Sequence, residues 1–352
     1  MSERFWFWLR RSTVVLVIVS VSMLLFASSS ASAIVSWQIT EDSVSLGLSG
    51  VSPFVERLST GSDRVWRSGG LNGSEVSDCT DAGVCTTVTL GTRFGSDVSI
   101  LTLADGSRRA YFVEMIQGTS NKQVYSAPCS TTECLSIGTK VATSSEMVGP
   151  QNAAWGVPDP VLLPDGRVRI NIVESPVDGS CLEKIASYIS DSGGVTFTKE
   201  SGWRLEGGYV DTEVLRAKTG DWLMITSNGP GCGTQQRLFI TTSIDGLTWS
   251  TPIALTDTSK SRLDPTGFEI STDVFRIYFA TSASTKCGGN CVYTIARATL
   301  KIGSNSAVGP STSASTTNVK VGQACTKSGA KATSGKTKFI CKKLKGKLVW
   351  SK

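Results

Sequence analysis

The 352-residue chain carries 35 basic and 29 acidic residues, ten cysteines and no histidine. The lack of histidine excludes Ser-His-Asp and Cys-His triads and any histidine general base. Without paired CxxC knuckles, there is no four-ligand zinc site either. The formal charge of +6 hides a division, because residues 311–352 hold ten lysines and no acid while residues 34–310 carry −6. The basic pI is therefore no ground for nucleic-acid binding by the body of the protein.

Residues 1–33 read as an export signal. Arg4, Arg10 and Arg11 precede an apolar run of 15 residues, and Ala31-Ser32-Ala33 offers small residues for cleavage. A membrane anchor is the competing reading, but the run falls short of the roughly 20 residues of a spanning helix. Export implies a secreted, extracellular or envelope-associated protein with no membrane span after cleavage, and makes the cysteines disulfide candidates.

Residues 34–302 repeat one unit: an acidic strand start, an apolar run, a turn and a second strand. Copies begin near Ser52, Gly95, Val157, Val210 and Leu263, and two of them continue into turns with an aspartate, glycine and a following aromatic residue, "SDSGGVTF" and "SIDGLTW". Repeats holding about four short strands each predict propeller blades, here five in an all-β ring. The last copy lacks a fourth strand. "VSWQITEDS" at the start of this region resembles "LTWSTPIAL" of the fourth copy, so a strand led by Trp37 is expected to close the ring and remove a free edge. A monomer is expected.

The cysteines follow this register. Cys79 with Cys85, and Cys129 with Cys134, bracket turns between third and fourth strands. Cys181, Cys232, Cys287 and Cys291 follow second strands. A 287–291 bridge would leave Cys181–Cys232 to tie neighbouring blades, although other pairings remain open at this stage. Residues 303–319 form a Ser/Thr/Gly linker. Residues 320–352 are a basic module too small to stand on burial alone, for which a Cys325–Cys341 bridge is the natural staple.

The turn "SIDGLTW" resembles the Asp boxes of sialidase-type propellers, with Asp245 accepting hydrogen bonds from its own turn above Trp249. In "SDSGGVTF", Ser192 stands where the aspartate would be. The starts "VPDPVLLPDG" and "LDPTGF" resemble those of five-bladed glycosidase propellers, the arabinanase, levansucrase and invertase type. In those families, carboxylates at inner-strand starts act as base or nucleophile, acid and pKa modulator. The matching positions are Asp97, Asp159, Asp211, Glu213 and Asp264, while Ser52 departs from the pattern. The tail is similar to small Cys-Gly-Cys-Trp modules of exported bacterial proteins.

The resemblance implies Asp97 and Asp159 as base or nucleophile and modulator, and Glu213 as acid. Asp211, Asp264, Glu114 and Glu174 would add substrate contacts, and Trp66 and Trp155 a stacking surface for a sugar ring. Glycoside cleavage needs one protonated and one charged carboxyl group, which crowding and burial supply. Each acid could equally cap backbone N–H groups. No cofactor is expected, with calcium the one ion such acids would suit. Two functions stay open: an exported glycosidase, or a non-catalytic propeller that binds glycan or a cell-envelope polymer and is held at the envelope by its basic tail.

Overall fold

The computed structural model describes residues 36–70, 73–174, 181–191, 193–283, 291–303, 321, 323, 331–334, 337–344 and 347–351. The expected signal segment and linker lie outside the described residues, as do Ser192, Cys287 and Cys325. Among the described residues, no helix is long and apolar enough to cross a membrane.

Five antiparallel sheets follow one another along the chain. Strand β1 (Ser36–Glu41) belongs to the last of them. The first blade holds β2 (Val51–Arg57), β3 (Asp63–Gly70), β4 (Gly73–Cys79) and β5 (Cys85–Val88). The second holds β6 (Ser96–Thr102), β7 (Arg108–Met115), β8 (Asn121–Pro128), β9 (Val141–Ala142) and β10 (Val148–Pro150). The third holds β11 (Gly156–Leu162), β12 (Val168–Glu174), β13 (Lys184–Ser190) and β14 (Thr198–Lys199). The fourth holds β15 (Tyr209–Arg216), β16 (Trp222–Asn228), β17 (Leu238–Ser243) and β18 (Ile253–Ala254). The fifth holds β19 (Ser261–Ser271), β20 (Val274–Ser282) and β21 (Thr294–Gly303).

Apolar alternation explains why these strands stack into a ring. Each blade is covered on both faces, so its second strand is buried almost throughout, as in β12, where six of seven residues are buried although Arg169 and Asn171 alternate with Val168, Ile170 and Ile172. The core is accordingly split into five clusters, one at each interface between neighbouring blades. The cluster of Val55, Val65, Tyr278 and Ala280 joins the fifth blade to the first, and so closes the circle. The five first strands touch in succession around the centre.

Strand β1 completes the fifth sheet. It pairs with β21 from Ser36 opposite Gly303 to Glu41 opposite Ala298, and Trp37 packs on Phe275. The outermost edge of that sheet is thereby paired, as the likeness of residues 35–43 to the fourth blade's last strand predicts. Buried charges reinforce the same seam. Asp63 of β3 is fully buried and accepts hydrogen bonds from Arg276 (3.0 Å) and the Tyr278 hydroxyl (2.6 Å) of the fifth blade, and from Arg57 (2.7 Å) of its own. Arg297 reaches from β21 to Asp42 and to the carbonyls of Thr80 and Asp81.

Cys79–Cys85 and Cys129–Cys134 are local bridges, and Cys181–Cys232 links the third blade to the fourth. Cys291 and Cys341 are also disulfide-bonded. Gly208, with φ of +83°, passes directly beneath the inter-blade bridge, where a Cβ would lie 2.4 Å from the sulfur of Cys181. Replacing Cys181 and Cys232 by serine should cost about 2–4 kcal/mol, as for bridges closing loops of this size. Urea denaturation with and without reductant checks this: the wild type should lose its advantage on reduction, and the double variant should not respond at these positions.

At the C-terminal end, β22 (Lys331–Ser334), β23 (Thr337–Leu344) and β24 (Lys347–Ser351) form a three-stranded meander. Phe339 and Cys341 are buried while Lys338, Lys342 and Lys343 are exposed. Lys338 and Lys342 thus lie on the face opposite Phe339 and Cys341, with Lys343 exposed beyond the small core.

Candidate functional site: two rings of side chains on the axis

Every first strand breaks its ladder at the same place. The register shifts between Val51 and Phe54, Ser96 and Ser99, Gly156 and Asp159, Val210 and Glu213, and Leu263 and Thr266. Within each bulge one residue takes a left-handed conformation: Ser52, Asp97, Val157, Asp211 and Asp264 have φ between +48° and +54°. These five are equivalent and form one ring at the strand starts. Two residues on, Phe54, Ser99, Asp159, Glu213 and Thr266 form a second ring.

This corrects the alignment of Asp159 with Asp97, Asp211 and Asp264. The Asp-Pro pair at 159–160 mirrors that at 264–265 in sequence, but it sits two residues further along its strand, since the left-handed residue of the bulge is Val157 in β11 and Asp264 itself in β19. Val157 holds the first-ring place, a β-branched residue in a backbone region that aspartate tolerates far better. Asp159 instead neighbours Glu213 in the second ring.

A bulged inner strand has backbone N–H groups without ladder partners, and the ring side chains supply them across blades. In the first ring, Asp264 accepts from the Ser52 N–H at 2.8 Å, and Asp211 accepts from the Asp264 N–H. The Asp97 N–H donates to Ser68 Oγ of the first blade at 2.7 Å. In the second ring, Asp159 accepts from the Val214 N–H (2.9 Å), Glu213 from Gly267 (3.1 Å) and Thr266 from Val55 (3.3 Å). Ser99 makes no such link because its counterpart on the next blade is Pro160, which has no N–H. The acids are therefore bonded as inter-blade staples.

Burial dominates their electrostatics. Asp159, Asp211 and Asp264 are 5%, 8% and 6% exposed. Loss of solvent pushes Asp159 up to about 8, against partial compensation from the Val214 N–H and Asn171. Burial, then the charge of Asp159, holds Glu213 well above the carboxylate range. Asp264 is likewise raised well above its ordinary value by burial and then by Asp211, with which it shares a hydrogen bond; Asp211 is raised by burial. In each pair the neighbouring carboxylate adds to the upward push of burial, Asp159 on Glu213 and Asp211 on Asp264. Asp97 differs. It keeps accessible surface, and its carboxylate hydrogen-bonds no other described residue while lying within electrostatic reach of Lys122.

The remaining expected contacts lie elsewhere. Trp66 is fully buried edge-on against Phe94, and Trp155 is 4% exposed, sandwiched between Gly149 and the Lys122 side chain. Neither presents a face to a sugar; both fill gaps between blades, which is how most large aromatics are used. Glu174 bonds Lys199 and the Tyr188 hydroxyl, each at 2.7 Å, at the interface of the second and third blades rather than on the axis. Glu114 pairs with Lys140 in the wall of a cleft of about 690 Å³ beside Asp97. Gly95, Ser96, Arg93 and Lys122 also line it. Nothing periodic in the sequence marks Arg93, Lys122 or Lys140, which come from loops and a third strand. Among the described residues, no cluster of three or more acids or cysteines is arranged to hold a metal ion.

On the opposite face, in the turn after β17, Asp245 accepts hydrogen bonds from the Leu247 and Thr248 N–H groups at 2.8 Å each. These bonds lower its pKa to about 2. Trp249 packs against the core beneath it.

No family model and no curated protein matches the chain. Solved structures do. A thermostable family-43 glycoside hydrolase superposes with a TM-score of 0.55 and 11% identity, over 73% of this chain and 92% of that one. An endo-arabinase from Bacteroides thetaiotaomicron gives 0.55 and 10% over 73% and 96%. An α-L-arabinofuranosidase from Podospora anserina, solved with cellotriose, gives 0.55 and 10% over 75% and 97%. The fold is that of the five-bladed glycosidase propellers.

Proposed function

We propose that this glycosidase-like propeller is an exported protein that binds carbohydrate at the axial mouth around Asp97. The disulfides support export, since such bridges persist in oxidising compartments. The observation that carries the binding reading is the bonding of the ring acids. Asp159, Glu213, Asp211 and Asp264 each accept a backbone N–H from the next blade, and Ser52 and Val157 hold two first-ring places. Hydrolysis needs two carboxyl groups free to flank the scissile bond, whereas sugar binding needs an accessible acceptor for hydroxyls, which Asp97 provides. The test is a glycan array with the full chain and its Asp97→Ala variant. Binding by the wild type that the variant loses by tenfold or more is expected; equal binding by both would remove Asp97, and no binding would remove the reading.

One observation favours a second reading. Asp264, which burial and then Asp211 hold well above its ordinary range, lies in the same ring as Asp97, and a carboxyl group disposed to keep its proton near a free carboxylate is the pairing glycoside cleavage uses.

The basic C-terminal module would retain the protein at anionic envelope polymers through its lysine row. A version ending at Ser311 should then bind purified cell walls less than the full chain. The difference should vanish at high salt, as exposed charges are screened beyond ~8 Å at physiological ionic strength. Equal, salt-indifferent binding by both would refute retention.

A further inference from the structure

The cleft next to Asp97 has the opposite charge to the body of the protein. Arg93, Lys122 and Lys140 line it with Glu114 as the single acid, within a region that carries −6 overall. The three cations are differently placed. Lys140 is held by Glu114. Lys122 is partly buried, with its Nζ donating to the Ala153 carbonyl at 3.3 Å above the Trp155 ring, and burial lowers its pKa. Arg93 is exposed and makes no hydrogen bond or ion pair with any described residue. A guanidinium fork left open toward a cleft is suited to bidentate recognition of a planar or tetrahedral anion. Lys122 lies close enough to Asp97 to feel its charge, so the cationic cleft and the axial carboxylate are parts of one surface. Gly95 and Ser96 form the floor where the two meet.

We infer that the ligand is an acidic saccharide, whose neutral ring hydroxyls meet Asp97 while a carboxylate or sulfate on the adjoining sugar enters the cleft and pairs with Arg93. The inference rests on the axial-binding reading and names its substrate class. Arg93 supplies the fork, and Lys122 adds a cation whose partial burial strengthens its field on an incoming anion. Glu114 holds Lys140 back at the rim and Asp97 lies near Lys122, which leaves Arg93 as the cation without a carboxylate partner among the described residues. A neutral arabinose- or xylose-based chain would leave the Arg93 guanidinium in solvent without gain.

The experiment is a glycan array with matched neutral, uronate-bearing and sulfated saccharides, followed by titration calorimetry on the best binder. The wild type, Arg93→Ala and Arg93→Lys are compared as full chains. Arg93 is exposed, so neither change should disturb folding, which circular dichroism verifies. The expected result is that acidic saccharides bind at least tenfold tighter than their neutral counterparts. Arg93→Ala should lose at least tenfold on acidic ligands only, and Arg93→Lys should fall between, since it keeps the charge but not the fork. Uronate and sulfate arms identify which anion is taken. Neutral saccharides bound as tightly as acidic ones, or Arg93→Ala binding as well as wild type, would overturn the inference while leaving the axial-binding reading intact. No binding to any saccharide would overturn both.

Discussion

Replacing Asp63 by alanine should destabilise the propeller by about 3–5 kcal/mol, the range for breaking a buried pair and stranding its partner. Asp63 is wholly inaccessible and accepts from Arg276, Arg57 and the Tyr278 hydroxyl. Its removal takes the acceptor from a fully buried tyrosine hydroxyl and the buried one of two carboxylate partners from the mostly buried Arg276 guanidinium, at the seam between first and last blades. Asp81 also pairs with Arg57 and Arg276 but is 61% exposed, so Asp81→Ala should cost no more than about 1 kcal/mol. Thermal unfolding of both variants checks the contrast, with a fall of roughly 10 °C expected for the first. Similar small losses in both would mean that β1 alone closes the ring.

The second large effect is a stability profile that slopes downward with pH. Four acids on the axis have pKa values raised in the fold, with Asp159 at about 8. A raised acid means that the folded chain binds more protons than the unfolded one, so stability falls as pH rises from about 4 towards 8. Each net proton contributes about 1.4 kcal/mol per pH unit. Groups with lowered values, such as Asp245 at about 2, act in the opposite direction and only below pH ~4. Asp159→Asn keeps an acceptor for the Val214 N–H and removes the charge. It should therefore be more stable than the wild type at pH 8 by a few kcal/mol, with the gap closing near pH 4. Urea midpoints across that range measure it. A wild type most stable at pH 8, or an Asn variant weakened there, would show Asp159 to be ionised in the fold.

Much of the architecture was legible because it recurs. Five inner-strand starts, the Trp37 strand without a sheet of its own, and cysteines at fixed places in the repeat gave blades, closure and the Cys181–Cys232 tie. The site was less legible, for a geometric reason. Asp159 reads as equivalent to Asp264 because each precedes a proline, and only the ladder register shows that the bulge falls on Val157 in one strand and on Asp264 itself in the other. Trp66 and Trp155 show a second limit: an aromatic beside an acidic motif has the same letters whether it faces a pocket or fills an inter-blade gap. The role of the acids as acceptors for unpaired N–H groups needs the neighbouring blade, more than 50 residues away in sequence for Asp159 and Val214. The cleft depends on three cations that only the folded loops bring together.

A search for cleavage separates binding from hydrolysis most directly. A saccharide captured on the array is incubated with the wild type and with Glu213→Gln over an extended period, and the products are followed by mass spectrometry. A glutamine at 213 can still accept the Gly267 N–H but cannot donate a carboxylic proton. Both proteins should bind the saccharide and return it intact. Products released by the wild type and lost in Glu213→Gln would contradict the binding reading and make the axial acids a hydrolytic centre.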